Sequence, residues 1–145
     1  MPITYKRMIS ATDEDISKLI SIFKLPDVSC YYSIDLENYF SYVTSNTNVF
    51  FYKVYNNNEM IGTLHLEIDG ETLFLSIVVF PKFQNKGNGS KIIKDVQNNI
   101  FRLEYNKIEV AIDKGNIPSL KLFKKQEFVP VSKDGNLLNY IYKMQ

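Results

Sequence analysis

No tryptophan occurs in these 145 residues, and cysteine and histidine occur once each. The single cysteine, Cys30, has no partner for an internal disulfide and reads as a small buried or semi-buried hydrophobe in a reducing compartment. Charge of one sign is missing too: 17 Lys+Arg against 16 Asp+Glu leaves a formal +1. Binding a phosphate backbone needs a basic surplus on one face, so nucleic acid is not an expected partner. No run approaches the ~18 consecutive apolar residues of a membrane-spanning helix. Met1 to Arg7 has no apolar stretch behind its positive charges, so it does not read as a secretory signal. The expectation is one cytoplasmic domain over residues 1–145, with no membrane partner and no metal.

What is present fits a folded domain. Hydrophobic residues make up 45% and charged residues 23%, and a chain of this length buries roughly 70% of its unfolded surface. Aromatic residues reach 14%, with ten tyrosines and ten phenylalanines. Phe23, Phe40 and Phe74 are expected in the core.

Hydrophobic periodicity predicts a strand over Ile3–Ile9. Thr12 to Asp15 then offer a cap and acids for a helix carrying Ile16, Leu19, Ile20 and Phe23. Pro26-Asp27 ends that helix, Val28 to Ser33 reads as an irregular aromatic loop, and Asp35 caps a second helix through Tyr39, Phe40 and Val43. Three strands follow as a meander: Val49–Tyr55, Met60–Asp69 and, after the Asp69-Gly70 turn, Thr72–Phe80. In the middle one Met60, Leu64, Leu66 and Ile68 point one way and Thr63, His65 and Glu67 the other. The third is apolar on both faces, as a strand covered on both sides by helices would be. A helix with Ile92, Ile93, Val96 and Ile100 along one side comes next. Strand Lys107–Ile112, helix Asn116–Lys125, strand Phe128–Val131 and strand Leu137–Lys143 complete the chain. The order β-α-α-β-β-β-α-β-α-β-β makes this an α+β domain of about seven strands, mostly antiparallel, and four helices.

Chemistry concentrates where the strand ending Val78-Val79-Phe80-Pro81 runs into Gln84-Asn85-Lys86-Gly87-Asn88-Gly89-Ser90 and a helix start. A helix start has unpaired N–H groups and the positive end of its dipole, and glycines let a ligand approach the backbone closely, so the segment suits a phosphate. Lys82, Lys86 and Lys91 add local positive charge. A Walker A loop is in the wrong register here, and a dinucleotide fingerprint would need glycine where Ile92 stands and a parallel βαβ setting.

The pattern Gln-x-x-Gly-x-Gly after a strand ending Val-x-Pro resembles the acetyl-CoA-binding motif of the GNAT superfamily of N-acetyltransferases. Asn116-Ile117-Pro118-Ser119, followed by Leu122-Phe123-Lys124 and Phe128, is similar to that family's second motif, and the strand order is the family's order. The resemblance implies the GNAT acyl-CoA N-acyltransferase fold and acetyl-CoA (coenzyme A) as cofactor. It implies that Ile77, Val78 and Val79 bond the pantetheine arm like an added strand, because the central strand splays from its neighbour there. Gln84, Asn85, Lys86, Gly87, Asn88, Gly89 and Ser90 would cradle the pyrophosphate. Asn116 would touch the pantetheine, a role compatible with capping a helix, and Ser119 and Phe123 would line the channel to the thioester. Tyr31, Tyr32 and Asp35 fall in the segment that shapes the acceptor pocket in this superfamily, although Asp35 also reads as an N-cap. The implied reaction moves an acetyl group to a primary amine, on a small molecule or a peptide, by direct attack in a ternary complex. Pairing through terminal strands, here Leu137–Lys143, would give a homodimer.

Phe123 departs from the pattern. Many members of the family carry tyrosine there, whose hydroxyl protonates the departing thiolate. Two readings follow. The chain is an enzyme whose thiolate, with a thiol pKa near ~8.5, is protonated by water or another hydroxyl, or it is an acyl-CoA-binding sensor that transfers slowly. No general base stands out either. His65, paired across the turn with Phe74 or Ser76, is one candidate to accept the amine proton, through a water held by Ser76. A solvated sheet face carrying His65 and Glu67 is the other reading.

Overall fold

The computed structural model describes residues 2–32 and 34–145. Its elements are β1 (Ile3–Arg7), α1 (Ile16–Phe23), α2 (Pro26–Ser29), α3 (Tyr39–Ser45), β2 (Val49–Asn56), β3 (Glu59–Asp69), β4 (Thr72–Val79), α4 (Asn88–Gln97), β5 (Lys107–Asp113), α5 (Ile117–Lys125), β6 (Val129–Asp134) and β7 (Leu137–Lys143), with a 3-10 turn at Pro81–Phe83. All seven strands join one sheet in the order β1-β2-β3-β4-β5-β7-β6. Every pairing is antiparallel except β4 with β5. Among the described residues no helix is long and apolar enough to cross a membrane.

The sheet is covered on both faces. On one, α4 lays Ile92, Ile93 and Val96 onto Leu64, Leu66, Leu73 and Ile108, joined by Phe123 of α5. The two helices are tied together there: Gln97 Nε2 donates to the Gln126 carbonyl at 2.7 Å and Gln126 Nε2 to Ser90 Oγ at 3.4 Å. On the other face α1, α2 and α3 bring Leu19, Phe23, Val28, Phe40 and Val43 against Val49, Phe51, Val78 and Phe80.

Hairpin chemistry sets the registers. Asn57 and Asn58 both take positive φ between β2 and β3, as a two-residue turn matched to strand twist requires. One irregularity was not legible. Val54 faces Gly62 while Tyr55 faces Met60, so Ile61 is an extra residue in β3. This bulge flips the alternation, and Met60 lies with Phe51 and Phe80 rather than with Leu64 and Leu66.

Other expectations are corrected. The chain has five α-helices among its described residues, not four, because Pro26 opens a one-turn helix instead of merely ending α1. Proline favours that position, its fixed φ and missing N–H costing nothing at a helix start. Cys30 follows that turn and is exposed, not buried. Helix α4 stops at Gln97, with Asn99 at φ +50 turning the chain, so Ile100 leaves the apolar stripe and is 47% exposed. Phe74 is 38% exposed rather than core, flanked across the sheet by Glu67 and Glu109. Strand β7 is paired on both sides, with β5 and β6, so Leu137–Lys143 has no free edge for a second chain; the edge strands are β6 at this end and β1 at the other.

Candidate active site

Strands β4 and β5 stay together for only three residue pairs, Thr72–Lys107, Leu73–Ile108 and Phe74–Glu109. Beyond Phe74 they diverge, and the gap opens into a cleft of about 400 Å³. Its walls are Leu75 to Val79 of β4, Val110 to Asp113 of β5, the loop into α4, the start of α5, and Tyr31 and Tyr32 beyond α2.

The backbone polarity of the open edge follows from one bond. Phe80 N–H donates to the Ile61 carbonyl of β3 at 2.8 Å. Since successive residues of a strand turn their backbone groups to opposite sides, Val78 also faces β3, and Ile77 and Val79 face the gap. The carbonyls of these two residues each carry a side-chain donor: Tyr32 Oη lies 2.7 Å from Ile77 O, and Gln84 Nε2 lies 2.9 Å from Val79 O. The amides of Ile77 and Val79 are left as the donors of an unpaired strand edge.

At the wide end the chain bends sharply into α4. Asn85 has φ +61 and Gly87, the N-cap of α4, has φ +80. Asn88 is buried and its Nδ2 donates to the Phe83 carbonyl at 3.1 Å, which fixes the loop beneath the helix start. A Cβ on Gly89 would meet Leu122 Cδ2 at 2.8 Å, so a larger residue there would require the Leu122 side chain to shift. The first turn of α4 therefore presents its orphan amides to the cleft with a lysine pair nearby. Lys82 and Lys86 both lean over the Phe83 ring, at 5.6 and 6.0 Å from its centroid.

The residues singled out from sequence divide clearly. Ile77, Val78, Val79, Gln84, Asn85, Gly87, Asn88, Gly89, Ser90, Asn116, Ser119 and Phe123 all line the cleft, and so do Ser76, Tyr31 and Tyr32. Lys86, His65 and Asp35 do not. Asn116 caps α5, its side chain accepting from Ser119 N–H at 3.3 Å. Asp35 accepts from Glu37 N–H and from Asn38 Nδ2, shaping the turn ahead of α3.

His65 does pair with Ser76 across β3 and β4, but it is enclosed under α3 and both ring nitrogens are engaged. Nδ1 lies 2.7 Å from Tyr39 Oη and Nε2 3.3 Å from Glu67 Oε1. Burial holds the imidazole below its ordinary pKa, against the opposing pull of Glu67. A neutral ring, accepting from Tyr39 and donating to Glu67, satisfies every partner. His65 thus clasps α3 to the sheet, and each of its ring nitrogens already has a side-chain partner.

Sequence reasoning missed Asp27, Phe83 and the far wall of Val110 to Asp113. Nothing local marks Val110 to Asp113, which reach the cleft only because β5 peels away from β4. Asp27 could have been suspected from its place one helical turn before Tyr31.

No curated protein matches the chain in sequence. Solved structures do match in fold along almost its whole length. A domain from Methanocaldococcus jannaschii superposes with TM-score 0.83 at 19% identity, covering 98% of each chain. The Campylobacter jejuni N-acetyltransferase PseH in complex with acetyl coenzyme A gives 0.78 at 16% identity over 99% of each chain. The Vibrio cholerae spermidine N-acetyltransferase with CoA and spermine gives 0.78 at 16% identity, covering 98% of this chain and 95% of that one. Residues 16–128 match the family model described as the Acetyltransferase (GNAT) family. That span holds the split between β4 and β5, the glycine-bearing loop and the Asn116 helix start, and the chain belongs to the GNAT acetyltransferase family.

Proposed function

We propose that this protein is an acetyl-CoA-dependent N-acetyltransferase that acts on a primary amine of a small molecule or peptide, by direct attack in a ternary complex. One observation carries the reading: the unpaired edge of β4 leads straight into the helix start at Gly87–Ser90, so a strand-like arm and a phosphate group are accommodated end to end. The residues fit coenzyme A, since the edge amides of Ile77 and Val79 match an arm rich in carbonyls and the α4 amides match a pyrophosphate. When bound, the coenzyme supplies an acyl group already activated as a thioester.

The protein's part is positioning. The loop holds the phosphates, with Lys82 and Lys86 adding attraction from outside the cleft, while Asn116 and Ser119 border the arm from α5. Tyr31 and Tyr32 flank the route by which the acceptor enters, and Tyr31 Oη comes within 3.5 Å of the Gly115 carbonyl across the mouth. Holding amine and thioester together replaces a bimolecular encounter with an intramolecular one. With His65 fully engaged, the amine proton passes to solvent at the mouth. Such a reaction belongs in the cytoplasm, where acetyl-CoA is available.

Thiol release from acetyl-CoA, followed across a panel of amines, aminoglycosides and peptides, tests the activity. Tight CoA binding with no thiol release from any acceptor would identify an acyl-CoA sensor instead. A second expectation isolates the phosphate loop. In Gly87→Val the left-handed conformation costs about 1–2 kcal/mol; a free loop that relaxes to escape this strain must regain it on binding, so the Kd for CoA should rise roughly tenfold. Calorimetric titration of CoA measures it, and unchanged affinity would remove the loop from the binding site.

A further inference from the structure

The cleft lacks a tyrosine at Phe123 but holds another phenol beside the split. We infer that the Tyr32 hydroxyl donates a hydrogen bond to the sulfur of the departing coenzyme A thiolate. The inference rests on the N-acetyltransferase reading and names a residue for its bond-breaking step.

Direction comes first. Phosphates at Gly87–Ser90 lie beyond the C-terminal end of β4, so an arm following the open edge runs back past Val79 to Ile77, towards the closed end where β4 and β5 pair. The thioester therefore arrives near Ile77. A chain laid alongside a strand sits about 4.8 Å from it. The Tyr32 oxygen, 2.7 Å from Ile77 O, lines the cleft beside this part of the open edge, within reach of a sulfur arriving there. It reaches this point from the α1–α3 face, opposite Phe123 of α5, which borders the same cleft.

The step balances without any further reagent. The amine nitrogen bonds to the acetyl carbon, the carbon–sulfur bond breaks, and its electron pair goes to sulfur. The nitrogen gives one proton to solvent and the thiolate later takes one from solvent. Tyr32 only lends its hydrogen. Before reaction the thioester sulfur is a poor acceptor, and the Ile77 carbonyl keeps the hydroxyl. Once charge forms on sulfur, a charge-assisted bond roughly twice as strong as a neutral one draws the hydrogen across. The contact is thus stronger in the transition state than in the ground state, the requirement for raising kcat. Burial pushes the phenol up to about 12, so it stays protonated throughout the working range.

Tyr32→Phe tests this with and without turnover. Losing one such donor should lower kcat on the order of 100-fold. In CoA titrations the wild-type protein should bind more tightly as pH rises from 7 to 9, because a donor to the thiolate lowers the thiol pKa. A one-unit lowering from ~8.5 gives about a sixfold gain, and desulfo-CoA, lacking the sulfur, should show none of it. Y32F should lose the gain, and the double variant Y32F/F123Y, with a hydroxyl restored from the opposite wall, should recover both the gain and kcat. A packing role for Tyr32 would not be rescued from α5. Y32F protein that keeps the pH-dependent gain, or a kcat at the wild-type level, overturns the inference. Absent thiol release in the wild-type protein defeats only the transferase reading, because the CoA titrations need no turnover and still decide the role of Tyr32.

Discussion

Gly62→Ala should destabilise the protein by about 3 kcal/mol, the upper end of what overpacking costs, and lower the melting temperature by roughly 10 °C. The reason is local and steric. A Cβ on Gly62 would fall 2.2 Å from the Val78 carbonyl oxygen and 3.2 Å from the Val79 Cα. Both are backbone atoms, so no side-chain rotation relieves the contact and β4 itself has to move. Val78 is bonded to β3 and its neighbour Val79 belongs to the edge that faces the cleft, so CoA affinity should fall along with stability. Gly70→Ala is the control. Gly70 has φ +62 but nothing within 4 Å of its built Cβ, so alanine there meets only the left-handed penalty of about 1–2 kcal/mol and leaves CoA binding unchanged. Thermal melts and CoA titrations of the two variants separate the effects. Equal behaviour would mean that the closeness of β3 to β4 is unimportant.

The second large effect is expected at Lys53. This side chain is 2% exposed, and its Nζ lies 2.9 Å from Asp13 Oδ2 and 2.8 Å from Asp15 Oδ2. Lys53→Met leaves two carboxylates facing an apolar chain. Breaking a buried pair typically costs 3–5 kcal/mol, and here the carboxylates keep 16% and 25% exposure, which places the cost near the lower end, about 3 kcal/mol.

The cluster also predicts a pH signature. Burial pushes the Asp13 carboxyl up, but the Asp15 N–H and the Lys53 ammonium outweigh it and hold Asp13 below its ordinary range. Its contribution is therefore present above the unfolded value near ~3.9 and is lost as pH falls through the lower folded value. Burial pulls Lys53 down, yet its bonds to Asp15 and Asp13 raise it net above its ordinary value. That contribution is present below ~10.4 and is lost as pH rises through the folded value. Denaturant melts across pH should show both limbs in the wild-type protein and weaker ones in K53M. Parallel profiles would show that the cluster contributes nothing to folding.

These two sites mark the boundary of what could be read beforehand. The glycine-bearing loop and the Asn116 helix start were legible because their chemistry is local: left-handed residues, a helix N-cap and apolar periodicity lie within a dozen positions. Twelve of the thirteen residues assigned to the coenzyme border the cleft for that reason, and Lys86 falls just outside it. Asp13 and Asp15 were read as helix-capping acids, and nothing nearby announced that Lys53, some forty residues on, would claim them. The extra residue Ile61 left no mark in the alternation of β3, so Met60 was assigned to the wrong face. His65 was correctly paired with Ser76 as one of two registers. The reach of Tyr39 and Glu67 to its two nitrogens, however, depends on how α3 lies over the sheet. Tyr32 was placed near the acceptor, while its bond to Ile77 required the split itself.

The capped carbonyls of that split have a consequence for self-association. An unpaired strand edge in the middle of a sheet is a template for any stray polypeptide, and augmentation by a foreign strand is a route to aggregation. A polypeptide strand offers N–H and C=O groups in alternation and needs both answered. Here its N–H groups would meet carbonyls already held by Tyr32 and Gln84. Beside Ile77 and Val79 the edge favours acceptors over donors, which makes it a poorer template for a second β-strand than a bare edge.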